Sequence, residues 1–213
     1  PLFFPLPLVM WIVCIGAGVY RFSLSDEEIL AKFPSSQVSY DSVVETVFDL
    51  KTTNPWTIKV PETNAYAFIN EVDELQSLAS GRYDSGVERG VVTVDTQKLF
   101  AAKLGETHFF VAPMSVSNQG SGVFYYLGLF KHDKQRSRVV LVDQLFLGDR
   151  VQIQTLEVAK QEGTQTKGKQ SGEGFIGFIQ NSAEQSFAEA PSEKVLMSFS
   201  FDTQSNCKQK RFC

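Results

Sequence analysis

The chain has 213 residues and a formal net charge of −4, with 43% hydrophobic and 21% charged residues. This balance is typical of a globular protein that buries its own core, and it excludes an intrinsically disordered chain. The acidic balance argues against a chain-wide attraction to nucleic acid or to anionic lipid, so no nucleic-acid partner is expected.

The N-terminal segment PLFFPLPLVMWIVCIGAGVY contains no charge, and Arg21 is the first charged residue. Its prolines oppose a helix at the start, whereas residues 8–20 favour one. A helix of that length spans about 20 Å, less than the roughly 30 Å of a bilayer core. The pattern predicts a hydrophobic export or anchor segment over 1–21, and the alternative is a buried N-terminal helix of the fold.

Two short helices are predicted next. Ser25 and Glu28 have the spacing of a capping box, and the helix that they begin would end before Pro34. Residues 40–50, YDSVVETVFDL, place apolar side chains at helical spacing. Together they would form a small N-terminal helical layer.

From Trp56 the chain consists of short segments rich in Val, Ile, Phe and Tyr that are bounded by turn residues. Strands are predicted at 56–60, 65–69, 90–94, 108–116, 122–130, 138–147, 150–158, 174–180 and 194–202. No helix of crossover length separates them, so the class is α+β. A mostly antiparallel sheet, folded into a sandwich or an open barrel, would fill a single β-rich domain over 22–213.

Three details of this sheet are also predicted. Residues 109–111 and 139–142 are apolar at successive positions and should be central strands, buried on both faces. Pro113 should lie at an edge or a bulge, since it cannot donate to a ladder. Residues 160–174 are polar and rich in glycine, which predicts a flexible loop between two strands.

The segment QGSGVFYYLGLF, 119–130, suggests either a phosphate-binding loop or a turn before a strand. A phosphate loop needs glycines between a strand and a helix, with a lysine beyond them. Gly120 and Gly122 instead lead into a strand, so they are predicted to form a structural turn with positive φ. Gly148 and Asp149 are predicted to form another structural turn.

Residues that could carry chemistry are few. Nothing in the sequence places His108 and His132 together, and a structural or exposed role is favoured for each. No cluster of nucleophile, base and acid is evident, so no catalytic, cofactor-binding or metal-binding residue is predicted, and no cofactor. The chain is accordingly not expected to be an enzyme.

A run of cationic residues lies between two predicted strands, at a hairpin tip: Lys131, Lys134, Arg136 and Arg138. One interpretation is a solvated turn whose charge protects an edge. The other is a basic contact patch for anionic lipid or for the acidic surface of a partner.

Cys207 and Cys213 are the two cysteines left if a leader that contains Cys14 is removed. In an oxidising compartment they are predicted to form a disulfide, because they have a single intramolecular pairing. Two free thiols are the alternative.

The segments GSGVFYYLGLF and VVLVDQLFLGDRVQIQTLEV resemble the LppP/LprE-type family of small exported bacterial proteins. LASGRYDSGVERGVVTVD, with a Gly-Arg-Tyr turn before a strand, and SFAEAPSEKVLMSFSFD resemble the same family. The resemblance runs from about Leu78 to Asp202. It implies an exported, often membrane-tethered, β-rich domain of unestablished function.

These observations predict an exported envelope protein, in the bacterial periplasm or on the outer face of the cytoplasmic membrane. It would attach to the membrane through its N-terminal segment and act as a non-catalytic binding domain for an unidentified envelope protein or ligand. The alternatives are a subunit of a membrane complex, which would keep an apolar patch exposed, and a hydrolase-like enzyme.

Overall fold

The computed structural model describes residues 10, 11, 13–15, 39–159, 171–182, 184–186 and 188–202, and the backbone of 207–212. The chain divides into two compact units, Pro1–Ser39 and Tyr40–Cys213. In the first unit residues 10, 11 and 13–15 are helical, and the helix predicted from Ser25 lies outside the described residues. Among the described residues, no helix is both long enough and apolar enough to cross a membrane.

The second unit begins with one helix, α1, Ser42–Phe48. Asp41 caps it, since its Oδ1 accepts a hydrogen bond of 2.8 Å from the backbone N–H of Val44. Asp49 ends it with φ of 53° and donates its N–H to Glu45. This confirms the helix predicted from residues 40–50, shortened by its two caps.

Thirteen strands follow α1 among the described residues. They are β1 Thr57–Lys59, β2 Tyr66–Phe68, β3 Glu71–Asp73, β4 Leu78–Asp84, β5 Arg89–Asp95, β6 Phe100–Leu104, β7 Thr107–Asn118, β8 Val123–Asp133, β9 Arg138–Asp149, β10 Gln152–Ala159, β11 Ser171–Gln180, β12 Glu193–Asp202 and β13 Cys207–Phe212. The mostly β, antiparallel-rich class predicted from the sequence is confirmed. Each of the nine predicted strands is present, and β3, β4, β6 and β13 are additional.

The strands form two sheets. The larger has the order β2-β1-β9-β8-β7-β5-β4-β3, with β6 also paired to β7, and the smaller has the order β10-β11-β12-β13. All pairs are antiparallel except β1 with β9, which is parallel. The chain segment between β2 and β3 joins the two ends of the larger sheet, because Ile69 N donates to Trp56 O and Asn70 N donates to Ser80 O. The sheet is therefore curled into a half-barrel.

The concave side of the half-barrel holds the first core, to which α1 contributes. Phe48 packs edge-on against Trp56 and Phe110, with ring centroids 4.7 Å apart in both pairs. Trp56 also packs against Phe130 at 5.5 Å. Trp56 and Phe130 are fully buried, so this aromatic group fixes α1 against the sheet.

The smaller sheet covers the other face of β7, β8 and β9, where it forms a second core. Phe109 packs against Phe201 of β12, with ring centroids 6.2 Å apart, whereas its neighbour Phe110 belongs to the first core. Strands 107–118 and 123–133 are therefore buried on both faces. For residues 109–111 this confirms the predicted central position.

Three local predictions were wrong. Pro113 is neither at a sheet edge nor at a bulge: it lies in central β7, between Val111, the last residue paired with β6, and Met114, the first paired with β5. Its missing N–H is tolerated at this gap in pairing. The Gly-Arg-Tyr sequence is no turn, since Gly81-Arg82-Tyr83 lies inside β4.

The third prediction, the loop at 160–174, is wrong for its last four residues. Residues 171–174 belong to β11, and residues 160–170 lie outside the described part of the chain. Gly172 and Gly174 lie beneath the rings of Phe201 and Phe199, where a Cβ would overlap those rings. These glycines therefore provide room for aromatic side chains within a strand.

Candidate functional site

A cavity of about 400 Å³ opens beside the N-terminal end of β8, in the mouth of the half-barrel. We call it the mouth cavity. Its lining comes from the β1–β2 loop, the β4–β5 turn and the adjoining ends of β7 and β8. The lining residues are Pro61, Glu62, Thr63, Asn64, Tyr83, Ser85, Val87, Glu88, Val116, Asn118, Phe124 and Tyr126.

Glu88 is the best-anchored carboxylate of the mouth cavity. Its Oε1 accepts a hydrogen bond of 3.3 Å from the hydroxyl of Tyr83, and its Oε2 accepts one of 3.4 Å from Nδ2 of Asn118. Burial, followed by the negative charge of Glu88, raises the pKa of Tyr83. Both bonds are long, so the carboxylate keeps acceptor capacity for another donor.

Tyr126 forms a wall of the mouth cavity and is only 6% exposed. Burial raises its pKa to about 12, with further contributions from the charges of Glu62 and Tyr83. No hydrogen bond of its hydroxyl is formed with any other described residue. The phenol is therefore protonated, and its hydroxyl faces the cavity without a protein partner, where water can reach it.

Glu62 lies at the rim, in the β1–β2 loop, with φ of 60°. The loop is held by Thr63, whose Oγ1 donates to Val60 O at 3.1 Å and accepts from Ala65 N at 3.1 Å. These bonds keep Glu62 at the entrance. The second carboxylate is thus carried by a short loop with internal hydrogen bonds.

The charge of the mouth cavity is one-sided. Glu62 and Glu88 are its two carboxylates, and no Lys, Arg or His is among the residues that line it. Arg89 follows Glu88 in sequence, but its Nε pairs with Asp84 at 2.7 Å. The cavity consequently has two formal negative charges beside aromatic rings.

The segment 118–123 adjoins the mouth cavity and contains two of the predicted turn glycines. Asn118 Oδ1 accepts from Gly120 N at 3.0 Å, and Arg150 Nη2 donates to Ser121 O at 2.6 Å. The positive φ predicted for Gly120 and Gly122 is wrong, because neither residue has it. Gly122 instead provides space, as a Cβ there would lie 3.0 Å from Cζ of Phe124.

The residues of the other predicted turn, Gly148 and Asp149, are the last two residues of β9, and the chain bends after them at Arg150. Gly148 has φ of 154°, and a Cβ on it would lie 2.7 Å from Cγ1 of Val151. Asp149 Oδ1 accepts from Val123 N at 2.9 Å, and Arg150 has φ of 50°. This turn therefore fastens the start of β8, next to the mouth cavity.

The basic residues lie far from the mouth cavity, at the β8–β9 turn. Lys131 Nζ lies 5.9 Å from the ring centroid of Phe109, and Lys134 Nζ lies 3.9 Å from Glu106 Oε2. Arg136 is exposed, whereas Arg138 is partly buried. The four cations thus have different surroundings within one hairpin.

The two histidines come together, although nothing in the sequence places them so. Phe109 pairs with Lys131, and the same register brings His108 opposite His132. Burial lowers the pKa of His132, and the charges of His108 and Lys134 lower it further. No group of three or more metal-ligating side chains exists among the described residues, and the two histidines act on each other through charge.

The disulfide between Cys207 and Cys213 stays a prediction. Cys207 begins β13, opposite Phe201 of β12. Its side chain and the whole of Cys213 lie outside the described part of the chain.

Sequence reasoning missed the mouth cavity because its lining comes from four distant segments. Each segment contributes a few polar residues near a strand end, such as Glu88 or Asn118, and no local sequence motif contains them all. The available signal was the pair of carboxylates in short turns, Glu62 and Glu88, next to strands that carry Tyr83 and Tyr126.

Comparisons of the chain with protein-family models, with curated proteins and with solved structures found no match. Function is therefore inferred from the geometry and chemistry of the mouth cavity and from the sequence.

Proposed function

We propose that this protein is an exported, membrane-tethered, non-catalytic binding protein of the bacterial envelope, and that a small ligand occupies its mouth cavity. The observation that carries the proposal is the Tyr126 hydroxyl, which lines the cavity without a hydrogen-bond partner among the described residues. Tyr126 is 6% exposed, so its ring is buried while its hydroxyl is reached from the cavity, and a ligand that enters replaces water as the partner of this hydroxyl.

The size and construction of the mouth cavity support a small ligand. Its volume of about 400 Å³ falls in the range of roughly 300–1,000 Å³ that is usual for small-molecule sites. Buried side chains such as Val116 and Tyr126 form its walls and hydrogen-bonded turns form its rim. A site of this kind is largely preformed and loses little conformational entropy on binding.

Export and tethering are supported by the uncharged segment before Arg21 and by the resemblance of Gly120–Val158 to small exported proteins. The segment 1–20, fused behind its native upstream sequence to a reporter active only outside the cytoplasm, should give active reporter. If the reporter is made but inactive, this part of the proposal fails.

Ligand binding is tested by a fragment screen of the purified domain, followed by two-dimensional NMR. Hits should shift the amide signals of Glu88, Asn118 and Tyr126. Val87 is 94% exposed at the rim of the cavity, so Val87→Trp should fold normally and reduce binding by obstructing the entrance. Leu75 is 99% exposed outside the cavity, and Leu75→Trp is the matched control.

Hits that shift mouth-cavity signals, and that Val87→Trp weakens while Leu75→Trp does not, support the proposal. A screen in which no fragment shifts these signals contradicts it. Hits unaffected by Val87→Trp contradict it as well, since they would bind elsewhere.

A further inference from the structure

We propose that the ligand of the mouth cavity is a small organic ammonium ion. This inference rests on the proposed function and specifies the class of ligand that the site takes. It depends on the charges that line the cavity, on the aromatic rings beside them and on the hydroxyl of Tyr126, which has no hydrogen-bond partner among the described residues.

The first step is the uncompensated charge. Glu62 and Glu88 line the same cavity, and neither forms an ion pair with any described residue. A neutral or anionic ligand would shield two carboxylates from water without compensating them. A cation is the ligand that converts this cost into an attraction, and the one-signed field also concentrates cations at the entrance.

The second step is the aromatic lining. Three rings, those of Tyr83, Phe124 and Tyr126, line the cavity with the carboxylates. Aromatic rings beside carboxylates are the usual surroundings of bound ammonium groups, because the ring faces carry partial negative charge. A bare metal ion would prefer a set of oxygen ligands, so the rings favour an organic cation.

The third step is the supply of hydrogen-bond acceptors. Glu88 accepts from Tyr83 and Asn118 at 3.3 and 3.4 Å, which leaves lone pairs for stronger donors. The oxygen of Tyr126 is a further acceptor, and the carboxylate of Glu62 stands at the rim. An ammonium N–H group donates and never accepts, which matches this set.

The test compares three probes that share a phenyl ring and differ in charge: phenethylammonium, 2-phenylethanol and 3-phenylpropanoate. Dissociation constants are measured by NMR titration of the mouth-cavity amides at neutral pH. Phenethylammonium should bind about tenfold more tightly than the alcohol, and the carboxylate should bind least. Added salt should reduce the advantage of the cation.

Variants of the two carboxylates test whether they cause the preference for the cation. Glu62→Gln and Glu88→Gln keep the shape and remove one charge each, so each should weaken phenethylammonium several-fold and leave 2-phenylethanol unchanged. Glu106→Gln is the control, because Glu106 lies in the β6–β7 turn near Lys134 and outside the cavity. Thermal unfolding establishes that the variants are folded.

Two outcomes overturn the inference while ligand binding itself survives. Equal or tighter binding of 2-phenylethanol at the mouth cavity means that the site takes neutral ligands. A preference for the cation that Glu62→Gln and Glu88→Gln both leave intact means that other groups cause it. If none of the probes binds while unrelated fragments do, the ammonium class is wrong; if nothing binds, the proposed function fails too.

Discussion

The backbone carbonyl of Phe68 faces the Cα of Gly81 so closely that a Cβ on Gly81 would overlap its oxygen. Phe68 ends β2 and Gly81 lies in β4, so this approach occurs where the two ends of the half-barrel meet. The absence of a side chain on one residue thus permits the curl of the whole sheet.

Gly81→Ala should therefore destabilise the domain by about 3 kcal/mol, because the added methyl group meets backbone that cannot move without opening the half-barrel. Gly86→Ala is the control: Gly86 has φ of 82° and nothing within 4 Å of its Cβ position, so only about 1 kcal/mol should be lost. Urea unfolding measures both. Equal losses would mean that the approach of Phe68 to Gly81 is unimportant.

Gly148→Ala should cost about 2 kcal/mol, more than Gly120→Ala. Gly148 combines a φ of 154° with a Cβ position 2.7 Å from Val151, whereas Gly120 would meet only the Asn118 side-chain oxygen at 3.1 Å. Backbone strain and steric overlap act together in Gly148→Ala. In Gly120→Ala a small movement of the Asn118 side chain relieves the contact. Thermal melts of the two variants would refute this if Gly120→Ala were the more damaging.

Asp149→Ala should cost about 1 kcal/mol, since it leaves the N–H of Val123 without its side-chain acceptor. Asp149→Asn keeps an acceptor oxygen at the same place and should lose less. Chemical denaturation of the pair compares them. If the two variants are equally destabilised, the charge of Asp149 matters and the hydrogen bond does not.

The stability of the domain should fall as the pH decreases from 7 to 5. Burial, then the charges of His108 and Lys134, lowers the pKa of His132 below its usual value, although Asp133 opposes this. The unfolded chain therefore binds a proton at His132 before the folded chain does, which favours unfolding below about pH 6.5. Denaturation curves across this range measure the effect.

His132→Asn is the matched variant for this pH dependence. It removes the titrating group, so its stability should vary less between pH 7 and 5 than that of the parent chain. An unchanged slope in this variant would place the pH dependence at another group.

The sequence predicted well what the local pattern of apolar residues controls. Helix α1 has apolar residues at helical spacing, and strands β7 and β8 are apolar runs that match their burial on both faces. It failed where a distant partner decides the structure: β6 is short and half-exposed and exists because β7 has a free edge beside Thr107–Val111. Gly81 resembles a turn residue locally, but it lies in a strand because Phe68 approaches it from elsewhere.

The candidate site was less predictable than the fold. Glu62, Glu88 and Tyr126 are unremarkable singly, and the closure of the sheet alone brings them to one cavity. The histidine pair has the same origin, since the register of β7 and β8 places His108 opposite His132. Long-range register is not encoded in any window that contains only one of the partners.

Strands β7, β8 and β9 form a wall shared by both cores, which has a consequence for cooperativity. Successive residues of β7, such as Phe109 and Phe110, belong to different cores, so neither core can melt while the other keeps an intact wall. Residues 40–212 should unfold in a single transition. A chain cut after Asp149 would expose Leu127, Leu129 and Leu145, which normally pack against the smaller sheet, and the fragment should self-associate.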